Sequence, residues 1–316
     1  MWPLRTKFAD RMVKCQNSVS RSCSSAFVPK HNPVSVEDFS KLVTFIETSQ
    51  KIAVLTGAGV STESGIPDYR SENVGLYARS SSRPVQFQDF LKSAEVRKRY
   101  WARNFIGWPR FSSFSPNATH YALRDLEVIH QKIGWVVTQN VDGLHTKAGS
   151  NNVVELHGTA YRVICLNCDY NVSRNTFQEI LQQMNPNMKA STKVIRPDGD
   201  VELTQDEAEI FRVPECPSCG GILKPDIIFF GENVPRMRVE TVKSIVEDSD
   251  SLLVIGSSLS VFSGFRIVLQ AAELERRIAI INIGKTRGDS YAHTKLNGRC
   301  GDIVPRLLDL LCCFSK

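Results

Sequence analysis

The chain has 316 residues, 42% of them hydrophobic and 23% charged, and a formal net charge of +6. That length can bury a large core, and no apolar run reaches the ~20 residues of a membrane span, so the base expectation is a soluble globular protein. The basic excess is local: Arg5, Lys7, Arg11, Lys14, Arg21 and Lys30 face only Asp10 in residues 1–33. The rest of the chain is near neutral, which argues against nucleic acid as a partner.

That N-terminal stretch is also rich in Ser and lacks a continuous apolar core. It reads as a mitochondrial transit peptide, cleaved between Arg21 and Pro33, or as a disordered tail with no address; a secretory signal does not fit. Of nine cysteines, Cys15 and Cys23 lie in the tail, and the odd total is not the pattern of a secreted disulfide scaffold.

Val36, Phe39, Leu42, Val43 and Ile46 recur at helical spacing, with Ser35 placed to cap, which predicts a helix over 36–49. The apolar run Ile52–Leu55 predicts a buried parallel strand. It runs into Thr56-Gly57-Ala58-Gly59, and a strand ending in close glycines lets backbone N–H groups approach a diphosphate. A dinucleotide is the first suspect, although Thr62 stands where the third Gly of G-x-G-x-x-G belongs. Residues 71–130 read as helices and loops. Trp135–Thr138, Leu252–Ile255 and Ile278–Ile281 predict further buried strands. The fold class expected is α/β: a doubly wound, mostly parallel Rossmann-like sheet whose strand ends converge on one cleft.

Residues 160–225 interrupt this pattern and predict a smaller inserted module. Within it Cys165-x-x-Cys168 and Cys216-x-x-Cys219 have the spacing of a closed, structural four-thiolate Zn2+ site. Two disulfides or redox pairs are the alternative. The polar stretch 187–206 reads as a long loop.

Five strings in this order resemble the sirtuins, the NAD-dependent protein deacylases. They are 56–70, Thr138-Gln139-Asn140-Val141-Asp142-Gly143-Leu144-His145, Glu155-Leu156-His157-Gly158, the two Cys pairs, and Gly256-Ser257-Ser258-Leu259. The resemblance runs from about Val36 to the C-terminus, so 34–316 is expected to be one catalytic domain. Gly-Leu-Tyr-Ala-Arg at 75–79 and Tyr-Trp-Ala-Arg-Asn-Phe at 100–105 resemble the family's mitochondrial sirtuin-4 branch.

The resemblance implies NAD as cofactor, held by Gly57, Ala58, Gly59, Thr62, Ile66, Pro67, Asp68, Tyr69, Arg70, Tyr77, Gln139, Asn140, Val141, Asp142, Gly256, Ser257, Ser258, Asn282, Ile283, Gly284 and Cys300. It implies His157 as the base, with Asn140 beside it. Judged alone, His157 is as readily a satisfied structural histidine, and imidazole suits the base role because its pKa starts near operating pH. His145 is expected to be structural. Tyr100 and Arg103, at i, i+3, correspond to an acyl pocket in which a phenol and a guanidinium bind a distal carboxylate. A solvated Arg is the alternative there. Phe229–Glu232 corresponds to the strand that pairs with substrate backbone. A Pro frequent in the family after Gly-Ser-Ser-Leu is replaced around Phe262–Gly264, which leaves peptide preference open.

The activity implied is removal of acyl groups from lysines of proteins, mitochondrial metabolic enzymes in the matrix above all, with nicotinamide and O-acyl-ADP-ribose as products. Acidic branched acyls or lipoyl are expected over acetyl. Mono-ADP-ribosyl transfer shares the cofactor and stays open. Neither a membrane nor nucleic acid is expected as a partner.

Overall fold

The computed structural model describes residues 26–79, 84–188 and 210–314. The basic stretch 1–25 and nearly all of the predicted polar loop lie outside the described residues. Helix α1 (Val36–Thr48) begins where expected, with Ser35 Oγ accepting from Asp38 N at 3.0 Å. It buries Phe39, Leu42, Val43 and Ile46 on the sheet.

Six strands form the main sheet: β1 (Ile52–Thr56), β2 (Ile133–Thr138), β3 (Val153–Glu155), and later β7 (Ser251–Ile255), β8 (Arg277–Ile281) and β9 (Thr294–Leu296). All pairings are parallel, in the order β3-β2-β1-β7-β8-β9. The chain winds outward from β1 in one direction and from β7 in the other. The reversal therefore falls between β1 and β7, and a crevice opens beyond their carboxyl ends. Both strands are buried throughout, which is why they read as unbroken apolar runs.

Between β1 and β2 lie α2 (Leu76–Arg79), α3 (Phe87–Lys92), α4 (Ala94–Ser113) and α5 (Ala118–Val128); α6 (Leu144–Ala148) follows β2. The second sheet is antiparallel, β5-β4-β6, built from β4 (Gly158–Cys165), β5 (Asn171–Ser173) and β6 (Leu223–Ile227), with α7 (Arg174–Met184) on it. Its own core joins Phe177, Leu181 and Leu223 to Trp101, Phe105 and Phe111 of α4. Arg174, fully buried, ties the two: Nε and Nη2 donate to Asn104 Oδ1 at 2.9 and 2.7 Å, and the guanidinium lies 4.7 Å from the Trp108 ring. Helices α8 (Arg236–Glu247), α9 (Phe262–Glu273) and α10 (Cys300–Phe314) complete the cover of the main sheet.

Gly158 is the joint between the two sheets. Its φ is +79°, and a Cβ there would stand 1.9 Å from Asp226 O, a backbone atom of the paired segment. Gly158→Ala is expected to cost about 3 kcal/mol or more, since both the left-handed backbone and the pairing resist a side chain. A denaturant midpoint equal to that of the unaltered chain would contradict this.

Candidate functional site

The crevice holds a cleft of about 950 Å3, at the upper end of the roughly 300–1,000 Å3 usual for ligand sites. Its floor is the loop after β1. This loop does not lead into a long helix but coils into two short 3-10 turns, Ala58–Val60 and Thr62–Ser64. Thr62, at the missing glycine position, donates Oγ1 to Gly59 O at 3.0 Å and closes the first turn. The two glycines are required by the neighbouring loop. Gly57 N donates to Ile255 O (3.1 Å) and Gly59 N to Gly256 O (2.9 Å). A Cβ on Gly57 would meet Ser257 Cβ at 2.7 Å, and one on Gly59 would meet Gly256 O at 2.8 Å. The β1 and β7 loops thus sit backbone to backbone at the switch point, which leaves the crevice free for a ligand.

Most of the expected cofactor contacts line this one cleft: Gly57, Ala58, Gly59, Thr62, Ile66, Asp68, Tyr69, Arg70, Gln139, Asn140, Val141, Asp142, Gly256, Ser257, Ser258, Asn282, Ile283, Gly284 and Cys300, together with His157 and Tyr100. Pro67, Tyr77 and Arg103 are not among the described lining residues. Tyr77 stands behind the wall, its ring 5.6 Å from the Arg70 guanidinium and 5.8 Å from the Tyr69 ring, so it steadies Arg70 by stacking. Arg103 lies one turn beyond Tyr100 on α4 and is half-buried.

The polar floor is a chain of hydrogen bonds. Asn140 Nδ2 donates to Gly57 O and Ser61 Oγ, both at 3.1 Å, and Ser61 Oγ donates to Asp142 Oδ2 at 2.7 Å. Burial pushes the Asp142 carboxyl up, opposed by Ser61 and by Leu144 N, which donates at 2.9 Å. Gln139 Nε2 donates to Ser257 Oγ at 2.8 Å and so links the β2 and β7 ends. Asp68 spends its carboxylate on its own turn, accepting from Arg70 N (2.9 Å), Ser71 N (2.7 Å) and Ser71 Oγ.

His157 follows β3 and is held on both ring nitrogens. Nδ1 lies 3.0 Å from Gln139 O and Nε2 2.7 Å from Ser263 Oγ. Burial lowers its pKa, the Gln139 carbonyl opposes this, and Arg238 adds to the lowering. Glu155, two residues earlier, is pushed up to about 7 by burial. His145 points elsewhere: its Nε2 meets Thr56 Oγ1 at 3.0 Å inside the core, and burial lowers it to about 4, as a structural histidine would be. At the far end Glu63 is buried between Arg299 Nη2 and Gly301 N, each at 2.9 Å, beside Cys300, whose thiol burial pushes up to about 12.

One expectation needs correction. Phe229–Glu232 is not a strand in this structure. Phe230 makes a lone parallel bridge to Gln86, and Gly231 has φ +81°. Glu232 Oε2 takes the Phe229 N–H (2.8 Å) and the buried Lys224 ammonium (3.1 Å), which turns the chain out of line after β6. The segment still lines the cleft. Among the polar residues that sequence reasoning missed are Ser61, Ser263 and the Glu63–Arg299 pair. Ser61 lies within the quoted glycine string, whereas Ser263 was signalled only by the replaced Pro around Phe262–Gly264, after Gly-Ser-Ser-Leu.

The four module cysteines converge. Cys165 and Cys219 sulfurs are 3.5 Å apart, Cys168 and Cys216 sulfurs 3.6 Å, and all four lie within 4.8 Å of one another. A tetrahedral zinc site with bonds of about 2.3 Å has sulfur–sulfur edges of about 3.8 Å. The distances fit such an ion and are far too long for disulfides.

The Sir2 family model matches residues 57–263. A Drosophila melanogaster protein named NAD-dependent protein deacylase Sirt4 is 55% identical over 290 residues, covering 92% of this chain and 93% of that one. The human NAD-dependent protein lipoamidase sirtuin-4, mitochondrial, is 52% identical over 90% of this chain and 92% of its own. Among solved structures, a Sir2–p53 peptide–NAD+ complex superposes with a TM-score of 0.69 at 27% identity, covering 87% of this chain and 99% of that one. Fold, cleft and relatives agree, and the chain belongs to the Sir2 family, the sirtuins, with NAD as its cofactor.

Proposed function

We propose that this NAD-dependent protein deacylase removes acidic, branched or lipoyl acyl groups from lysines of mitochondrial metabolic enzymes, with His157 as its base. NAD, when bound, supplies the ribose that takes up the acyl group as nicotinamide leaves. The observation that carries the reading is the setting of His157: half-buried in the cleft wall, its pKa lowered by desolvation, and fixed by Gln139 O through Nδ1. An imidazole so held keeps a lone pair on Nε2 to accept a proton from a ribose hydroxyl. Asn140, Ser61 and Asp142 would orient a bound ribose, and Arg70, which lines the same cleft, would pair with a diphosphate. Ile228, Phe229, Phe230 and Val261 supply an apolar wall to the same cleft.

The mitochondrial location rests on the basic, acid-poor tail and on the names of the bovine and human relatives. Residues 1–33 are taken as the transit peptide, the matrix as the compartment, and 34–316 as the catalytic domain, with its zinc-binding module inserted at about 160–225. Zinc, when bound by the four thiolates, would act structurally, because a closed tetrahedron leaves no open position.

Acyl preference is read from α4. Tyr100 lines the cleft and Arg103 follows one turn later. A charged hydrogen bond to a distal carboxylate contributes about 1.5–3 kcal/mol. Arg103→Met should therefore lower kcat/KM for hydroxymethylglutaryl- or glutaryl-lysine peptides roughly 10- to 100-fold and leave acetyl-lysine turnover unchanged. Equal turnover of acidic acyls by both proteins would rule out this pocket.

A further inference from the structure

Ser263 is the second residue of α9, lines the cleft, and lies outside every string that marks the family's cofactor contacts. Its relation to His157 is fixed by hydrogen-bond polarity. Gln139 O can only accept, so the proton of the 3.0 Å contact sits on His157 Nδ1. In the neutral ring Nε2 is then the acceptor, and the 2.7 Å contact is donated by the Ser263 hydroxyl. The nitrogen that must accept a proton during acyl removal is thus already engaged by this serine.

We propose that Ser263 is a positioning residue of the deacylation reaction: its hydroxyl holds His157 Nε2 turned into the cleft and yields that nitrogen to the ribose hydroxyl once the cofactor is bound. The proposal rests on the reading of His157 as the base.

The start of α9 is seated for this role. A Cβ on Gly264 would stand 2.6 Å from Gln139 Oε1, so the start of the helix packs directly on the end of the Gln139 side chain. Gln139 in turn holds Nδ1 through its carbonyl and Ser257 through its amide. Both nitrogens of His157 are therefore gripped by one frame, the end of β2 and the start of α9. This is also the stretch where the proline frequent in the family is replaced, and proline has no hydroxyl to offer. A hydrogen bond donated to Nε2 favours the neutral ring and acts in the same direction as burial. Among charged groups, Arg238 of α8 also lowers the ring's pKa, Arg266 of α9 and Asp142 after β2 line the same cleft, and Glu155 stands two residues before His157 at the end of β3.

The test begins on the free protein, labelled with 15N-histidine, where imidazole shifts report both tautomer and titration. The unaltered chain should show His157 as the Nδ1–H tautomer. Ser263→Ala should raise its midpoint by roughly half to one pH unit, the worth of one neutral hydrogen bond. Ser263→Thr should restore it, and Ser263→Pro, tolerated at a helix start, should behave as Ser263→Ala. In turnover, the acid limb of kcat/KM for NAD should move up by the same amount, and kcat should fall about 2- to 10-fold. A titration and tautomer unmoved in Ser263→Ala, or a moved titration with kcat and the acid limb unchanged, would overturn the proposal. Absence of acyl turnover by the unaltered chain would instead sink the deacylase reading. The titration needs no substrate and would still decide whether Ser263 holds Nε2.

Discussion

Replacing His157 by alanine is expected to lower kcat for acyl removal by about 100- to 10,000-fold, the range that a positioned general base contributes. His157 is the only histidine among the described residues lining the cleft, and its Nε2 meets Ser263 Oγ of the same lining. Neutral form and function coincide here. Burial lowers the pKa of His157, so the base stays unprotonated below the ordinary histidine midpoint near 6.5. Activity should accordingly be full at neutral pH and persist under mild acidity. It should fall only as pH drops through the lowered value, as the acid limb of kcat/KM. The same substitution should change thermal stability little. Gln139 O and Ser263 Oγ, which it leaves behind, both border the open cleft and can take water in place of the ring. An alanine variant with undiminished kcat would remove His157 from the mechanism.

Replacing Cys216 by serine is expected to be as severe, for a different reason. Cys216 precedes β6, and Cys165 ends β4, the strand that pairs with it. The module has a modest core and a short three-stranded sheet, and structural zinc sites contribute folding free energy directly. Losing one thiolate should drop bound zinc from one ion per chain to a small fraction of that and destabilise the protein by more than about 3 kcal/mol. Activity should be lost in parallel. The end of β6 and the chain after it, Ile227 to Val234, form one wall of the cleft, and Lys224 within β6 anchors that wall through Glu232. Elemental analysis alongside a melting curve checks both effects. A serine variant with full zinc and an unchanged melting temperature would contradict the four-thiolate assignment.

The parts of the fold that were legible in the sequence share one physical property. β1, β2, β7 and β8 are covered on both faces, so they appear as unbroken apolar runs bounded by glycines and polar residues. The edge strands β3 and β9 are only three residues long and gave no such run. The cysteine pairs were legible because a metal imposes spacing on the chain that ligates it. Resemblance to the family supplied the cleft residues, and nearly all of them meet at the switch point. The departures from expectation came from side-chain contacts that periodicity and spacing do not encode. Phe229–Glu232 looks like a strand until Glu232 takes the Lys224 ammonium and the Phe229 N–H. Tyr77, read as a cofactor contact, stacks on Arg70 and is not among the described lining residues of the cleft. Ser61 and Ser263 carry no periodicity at all. A hydroxyl becomes part of a site only when the fold sets a partner within 3 Å of it, as it does for Asp142 and His157.

The central claim is tested most directly by mass analysis of the products formed from NAD and an acylated lysine peptide, with acetyl, glutaryl, hydroxymethylglutaryl and lipoyl forms in parallel. The account predicts free lysine peptide, nicotinamide and O-acyl-ADP-ribose in equal amounts, fastest from the acidic or lipoyl forms and lost in His157→Ala. NAD consumed with every peptide still acylated, and ADP-ribose found on protein instead, would contradict it and make the chain an ADP-ribosyltransferase.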